Sequence, residues 1–242
     1  MDEFDPTASG AAASSDTGQR AEAAAGRILM DSARLEAFSD GVFAVAITLL
    51  ALSLVVPGPG HGAESLGDKF VDAWPSFAGY VVSFLTIGII WVNHHTLFKN
   101  FVGVDRPALF INLLLLFFVV AIPFATKTVA DYLAPGGSNA SVAVALFEGV
   151  FEGMSLAFGV MFWWSIRHEH LKVRLTAAAA RRATIRFGIG NVAYVAAIGV
   201  AFVSPVVALL ISLLVAIYYV FEQTPTRAPA PDPGAGADSG DA

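Results

Sequence analysis

The fold class this 242-residue sequence predicts is an all-α membrane protein with six transmembrane helices. Three observations lead there. Hydrophobic residues make up 56% of the chain and charged residues only 14%, well under the quarter usual in soluble domains. Mean hydropathy is +0.66. The apolar residues also gather into runs of membrane-spanning length separated by short charged segments. Cysteine is absent, which excludes disulfides, thiolate metal sites and thiol nucleophiles.

Residues 1–33 are rich in Ala, Ser, Gly and Asp, and residues 223–242 in Pro, Ala, Gly and Asp. Neither tail can bury enough apolar surface to offset the entropy of ordering, so both read as disordered, with a short helical tendency near Ala21–Arg27. Between them lies a membrane domain, residues 34–222. A bilayer core about 30 Å thick is crossed by roughly 20 helical residues. Phe38–Val56 carries one charge, Asp40, whereas Ala73–Asn93 and Pro107–Thr126 carry none. Each fits one span. Leu133–Ile166 holds only Glu148 and Glu152 and reads as one span preceded by a loop containing Pro135, Gly136 and Gly137.

Phe187–Phe221 is uncharged over 35 residues, and as a single helix it would be roughly 52 Å long. Ser204-Pro205 at its centre divides it, because proline removes a helix hydrogen bond and restricts the residue before it. The expected spans are therefore near 35–56, 73–97, 107–130, 141–166, 187–203 and 205–221.

Lysine and arginine placement orients the bundle. The two tails, Arg34 at the start of the first span, and the 94–106 and 167–186 loops hold twelve basic residues, while the opposite loops hold only Lys69 and Lys127. Both termini are therefore expected in the cytoplasm, without a cleavable signal peptide. The net charge of −6 lies in the tails, with nine acids against three bases, and the 34–222 body balances at eleven of each. Nucleic acid is not an expected partner. The lipid bilayer is, and the basic 167–186 stretch is expected to face anionic lipid.

Asp40, just inside the first span, needs a partner or water. Val45, Leu49 and Leu52 fall on one helical stripe flanked by Thr48. Periodicity alone leaves two readings of that stripe, a packing surface against another helix or an apolar constriction lining a pore. The second span ends Trp91-Val-Asn93-His94-His95. These residues suit interfacial anchoring and hydrogen bonding. Adjacent histidines diverge by about 100° on a helix and suit one metal ion poorly, so no cofactor or resident metal is expected. Glu148 and Glu152, one turn apart in the fourth span, are candidates for ion or proton handling or for structural hydrogen bonding. The outer-loop acids Glu64, Asp68, Asp72 and Asp131 read chiefly as solvated loop residues.

The Arg34-x-x-x-Phe38-Ser39-Asp40 signature, the Ala44-x-x-x-Thr48-Leu49-Leu50 run and the Trp91-x-x-His94-His95-x-x-Phe98 segment resemble those of prokaryotic members of the transmembrane protein 175 family of lysosomal potassium channels. The resemblance spans roughly residues 34–222, with only hydropathy matching over the last three spans. It implies a modestly selective K⁺ channel of prokaryotic plasma membranes, assembled as a homotetramer with its pore lined by the first helix of each subunit. It places Val45, Thr48, Leu49 and Leu52 at the constriction, with Val45 where Ile or Leu is common. It also implies a supporting polar network of Arg34, Ser39, Asp40, Trp91, Asn93, His94 and His95. No carbonyl-lined Thr-Val-Gly-Tyr-Gly loop is present. The alternatives are a proton-coupled secondary transporter using Glu148 and Glu152, or a membrane enzyme or assembly protein. The sequence shows no inverted repeat for the former and no catalytic constellation for the latter.

Overall fold

A computed structural model describes residues 32–54, 65–168, 170–172 and 176–221. Nearly all of the two tails, including the stretch near Ala21–Arg27 expected to be helical, lies outside these residues. The elements are α1 (Ser32–Leu50), which ends in a 3₁₀ turn (Ala51–Ser53), α2 (Leu66–Asp72), α3 (Trp74–Lys99), α4 (Arg106–Tyr132), α5 (Gly137–Arg167), α6 (Ala177–Ala201) and α7 (Pro205–Phe221). α1, α3, α4, α5 and α6 are each long and apolar enough to cross a membrane. The 17 residues of α7 reach about 26 Å at the helical rise.

Local chemistry sets the helix ends. Asp105 accepts a hydrogen bond from the Ala108 amide at 3.0 Å and starts α4, with Pro107 in its first turn. Thr176 caps α6 by accepting from the Ala179 amide at 3.2 Å. That cap, followed by four alanines, starts the fifth span at Ala177 rather than at 187, because alanine propagates helix well and the arginines after it extend from the membrane surface. Ser204-Pro205 does separate α6 from α7. Two positive-φ glycines, Gly136 and Gly137 (both φ 73°), make the turn into α5.

The first span runs Ser32–Ser53, and its last turn tightens to 3₁₀, where the Ser53 hydroxyl donates to the Leu50 carbonyl at 2.6 Å. The helix α2 was not expected. Ser65 and Asp68 form a reciprocal capping box at its start, and the Ser65 hydroxyl and amide hold the Asp68 carboxyl below its ordinary value. Among the other outer acids, Asp131 pairs with Lys127 at 2.8 Å, and Glu64 lies outside the described residues.

The core runs through α3, α4 and α5, with α6 and α7 on one side and α1 on the other, packed against α3 and α4. Polar and small residues tie α3 to α4. The Ser83 and Thr126 hydroxyls meet at 2.7 Å, and a Cβ on Gly79 would lie 3.3 Å from Thr126 Cγ2. At one end of the bundle, two loops pair through their backbones. Val102 N–H donates to the His170 carbonyl at 2.8 Å and Lys172 N–H to the Asn100 carbonyl at 2.7 Å.

Candidate pore helix and its polar anchor

α1 has two faces, each with alternating three- and four-residue spacing. Ser39, Phe43, Ala46, Leu50 and Ser53 are buried against α3 and α4. Phe38, Gly41, Val45, Thr48 and Leu52 are exposed, with Leu49 beside them. Val45 is 56% exposed, Leu49 41% and Leu52 71%, whereas Phe43 is 1% and Leu50 0%. The Val45–Leu52 stripe therefore does not pack against another helix among the described residues. The Thr48 hydroxyl donates to the Val45 carbonyl at 2.8 Å. This commits its proton to the backbone and leaves its oxygen lone pairs free to accept.

The buried face is anchored by a chain of hydrogen bonds. Ser39 Oγ donates to the Leu35 carbonyl at 2.8 Å and accepts from Asn112 Nδ2 at 3.0 Å. With Asn112 Nδ2 so used, Oδ1 is the acceptor facing His94 Nε2 at 2.8 Å, so His94 carries its proton on Nε2. All three side chains are fully buried. The His94 ring also packs between Phe43 and Phe98, at centroid distances of 5.4 and 4.2 Å. Beside this chain, Trp91 Nε1 donates to Asp40 Oδ1 at 2.9 Å. His95 Nδ1 lies 2.6 Å from Glu36 Oε1.

The structure thus brings Ser39, Asp40, Trp91, His94 and His95 together where α1 meets α3. It places Arg34 on the exposed side of α1, with no hydrogen bond or ion pair among the described residues. Asn93 points elsewhere, into a cleft with Thr86, Ser155 and Tyr194. Glu148 is fully buried on α5 and accepts a hydrogen bond from Ser212 of α7, and Glu152 is buried one turn on. Both sit in the α5–α7 part of the bundle, away from the exposed stripe of α1. Sequence reasoning passed over Asn112, although it is the lone polar residue in the uncharged run from Pro107 to Ile122. It also passed over Glu36, whose signal was its position four residues before Asp40.

Residues 34–123 match the family described as endosomal/lysosomal potassium channel TMEM175. A potassium channel of Streptomyces collinus is 47% identical over 199 residues, covering 81% of this chain and 94% of that protein. The chain belongs to the TMEM175 family. It is an integral membrane protein, as its apolar helices require.

A crystal structure of a lysosomal potassium-selective channel TMEM175 homolog from Chamaesiphon minutus superposes with a TM-score of 0.68 at 32% identity, covering 78% of this chain and 96% of that one. The human endosomal/lysosomal proton channel TMEM175 is 38% identical over 106 residues, which is 41% of this chain and 21% of that protein. The family match covers nearly all of α1, all of α2 and α3, and α4 as far as Pro123, and so includes the exposed stripe and its polar anchor.

Proposed function

We propose that the chain is one subunit of a modestly selective K⁺ channel, a homotetramer in which the exposed stripes of four α1 helices face a common axis. The observation that carries this reading is the outward placement of Val45, Thr48, Leu49 and Leu52 on a helix whose opposite face is fully engaged. Rings of Val45, Leu49 and Leu52 exclude water wherever the pore is narrow and so act as a hydrophobic gate. The Thr48 ring supplies oxygen acceptors to a partly dehydrated cation. K⁺ sheds water more readily than Na⁺, so a constriction that demands partial dehydration passes K⁺ first. Valine at position 45 makes that ring wider than Ile or Leu would.

Potassium is the permeant ion in this reading, and no cofactor takes part. The body is electrically balanced, so no net charge assists selection. Arg34, exposed on the same side of α1, is assigned a partner in the neighbouring subunit. The lysine and arginine distribution supports cytoplasmic termini in a prokaryotic plasma membrane. Glu148 and Glu152 are assigned to holding α5 against α7, and no catalytic role is assigned to any residue.

Planar-bilayer recording of the purified chain tests the proposal. Ohmic, K⁺-favouring currents that grow in Leu52→Ala are expected. Saturable, proton-coupled flux abolished by Glu148→Gln, or tetramers whose position-52 cysteine variants react only from the lipid phase, would overturn it.

A further inference from the structure

Glu36, Asp40 and His95 stand beside the Ser39–Asn112–His94 chain without joining it. Glu36 and Asp40 are four residues apart, so both carboxylates project from one strip of α1. His95 approaches from α3, diverging from its neighbour His94, which faces Asn112. One ligand atom from each of the three lies within 4.8 Å of the others. Trp91 steadies two of them. Its indole N–H donates to Asp40 Oδ1 at 2.9 Å, and its ring stacks on His95 with centroids 5.8 Å apart and planes 19° from parallel. His95 Nδ1 is 2.6 Å from Glu36 Oε1 but out of line for a hydrogen bond, so this enclosed nitrogen has no hydrogen-bond partner among the described residues.

We propose that Glu36, Asp40 and His95 bind one divalent transition-metal ion of the zinc class and thereby clamp α1 to α3. One imidazole nitrogen and two carboxylate oxygens form a three-ligand set that leaves a fourth position for water. Metal–ligand bonds of about 2.0–2.2 Å place tetrahedral ligands roughly 3.4 Å apart. The close His95–Glu36 pair must therefore open by about 0.8 Å and the widest separation close by up to about 1.4 Å, movements within reach of carboxylate rotation. A nitrogen donor and so few oxygens disfavour Ca²⁺ and Mg²⁺. The Trp91–Asp40 bond orients a ligating carboxylate as outer-shell partners do.

Charge points the same way. Two carboxylates face a single imidazole, an excess of acid that a divalent ion offsets, and Arg34 makes no ion pair with either among the described residues. The binding test does not depend on whether the chain conducts, so its failure leaves the channel reading standing.

The test titrates the full-length purified chain, stripped by chelator, with ZnCl₂ by calorimetry and with CoCl₂ by visible absorption. One ion per chain is expected. Glu36→Gln and His95→Gln should each weaken binding by more than about tenfold, and Trp91→Phe, which keeps the stacking but loses the indole bond, by about tenfold. His168→Gln should leave it unchanged. In the unmodified chain, bound Co²⁺ should quench a part of the tryptophan emission that Trp91→Phe lacks. No bound metal, unchanged affinity in Glu36→Gln and His95→Gln, loss of binding in His168→Gln, or unquenched emission at saturating Co²⁺ would each overturn the assignment.

Discussion

Replacing Asn112 with alanine separates the two faces of α1 experimentally. Asn112 is fully buried, and its amide is the only link in the described structure between Ser39 on α1 and His94 on α3. The substitution removes an acceptor from His94 Nε2 and a donor from Ser39 Oγ in a region closed to water. A buried polar group left without its partner costs about 1–3 kcal/mol, so two of them cost roughly 2–6 kcal/mol, before counting the void left by the amide. Ser39 keeps its bond to the Leu35 carbonyl, so the His94 side should dominate and the total should fall in the lower half of that range.

Melting of the detergent-solubilised assembly, followed by the size-exclusion elution of heated samples, reads the effect. Asn112→Ala should melt well below the unmodified chain, and Thr48→Ala close to it, since Thr48 is exposed and bonds only within its own helix. Ser39→Ala combined with Asn112→Ala should cost less than the sum of the two, because they share one interaction. Equal melting of Asn112→Ala and the unmodified chain, or a strictly additive double variant, would refute the claim that this bond chain anchors α1.

Asp40→Ala loses the acceptor of Trp91, and it should reduce the yield of assembled protein before it changes ion selectivity; normal assembly with altered selectivity refutes this. A Cβ on Gly190 would sit 2.4 Å from the Tyr219 hydroxyl, which donates to the Arg186 carbonyl at 2.8 Å. Gly190→Ala should therefore destabilise the α6–α7 pair by about 1–3 kcal/mol, and Tyr219→Phe in the same chain should recover part of that in the melting assay. Ser212→Ala strips the buried Glu148 of its hydroxyl donor and should lower stability by about 1–3 kcal/mol while leaving K⁺ current per channel intact; loss of current in a stable protein would instead put Glu148 on the ion path.

Spans were legible wherever hydropathy alone decides them. Pro107, Pro205 and the Pro135-Gly136-Gly137 turn mark boundaries that the structure keeps, whereas Pro123 lies inside α4 without ending it. The start of α6 was not legible from apolar counting. Ala177–Ala180 and Arg181, Arg182 and Arg186 continue the helix through a charged stretch, and alanine's helix preference and arginine's reach are invisible to a hydropathy window. At the site, the residues of the Phe38-Ser39-Asp40 and Trp91-His94-His95 segments could be named in advance. Asn112, which joins Ser39 to His94, could not. Asn112 lies 73 residues from Ser39 and meets it only through the way α4 crosses α1, and a single chain of letters carries no such crossing.

The spacing of the exposed face itself argues for a symmetric axis. Positions 38, 41, 45, 48 and 52 repeat every seven residues as two series, Phe38–Val45–Leu52 and Gly41–Thr48. A repeat of seven falls short of two full helical turns, so identical helices that share such a seam supercoil about one another, and equivalent residues return to the axis every seven positions, about 10.5 Å apart. In the proposed tetramer, large apolar side chains and small or hydroxyl-bearing ones therefore alternate along this seam, with Leu49 beside Thr48. A lipid-facing stripe has no reason to alternate in size, and one packed against another described helix of the same chain would show burial that Val45 and Leu52 lack. Thr48 then lies between two apolar rings with its proton committed to the Val45 carbonyl. In that tetramer a cation crossing this segment would lose part of its hydration at the Val45 ring, meet oxygen lone pairs one turn later, and lose hydration again. Discrimination therefore depends on the cost of partial dehydration, which is why the size of the Val45 ring, more than any charge in the body, should set how well K⁺ is told from Na⁺.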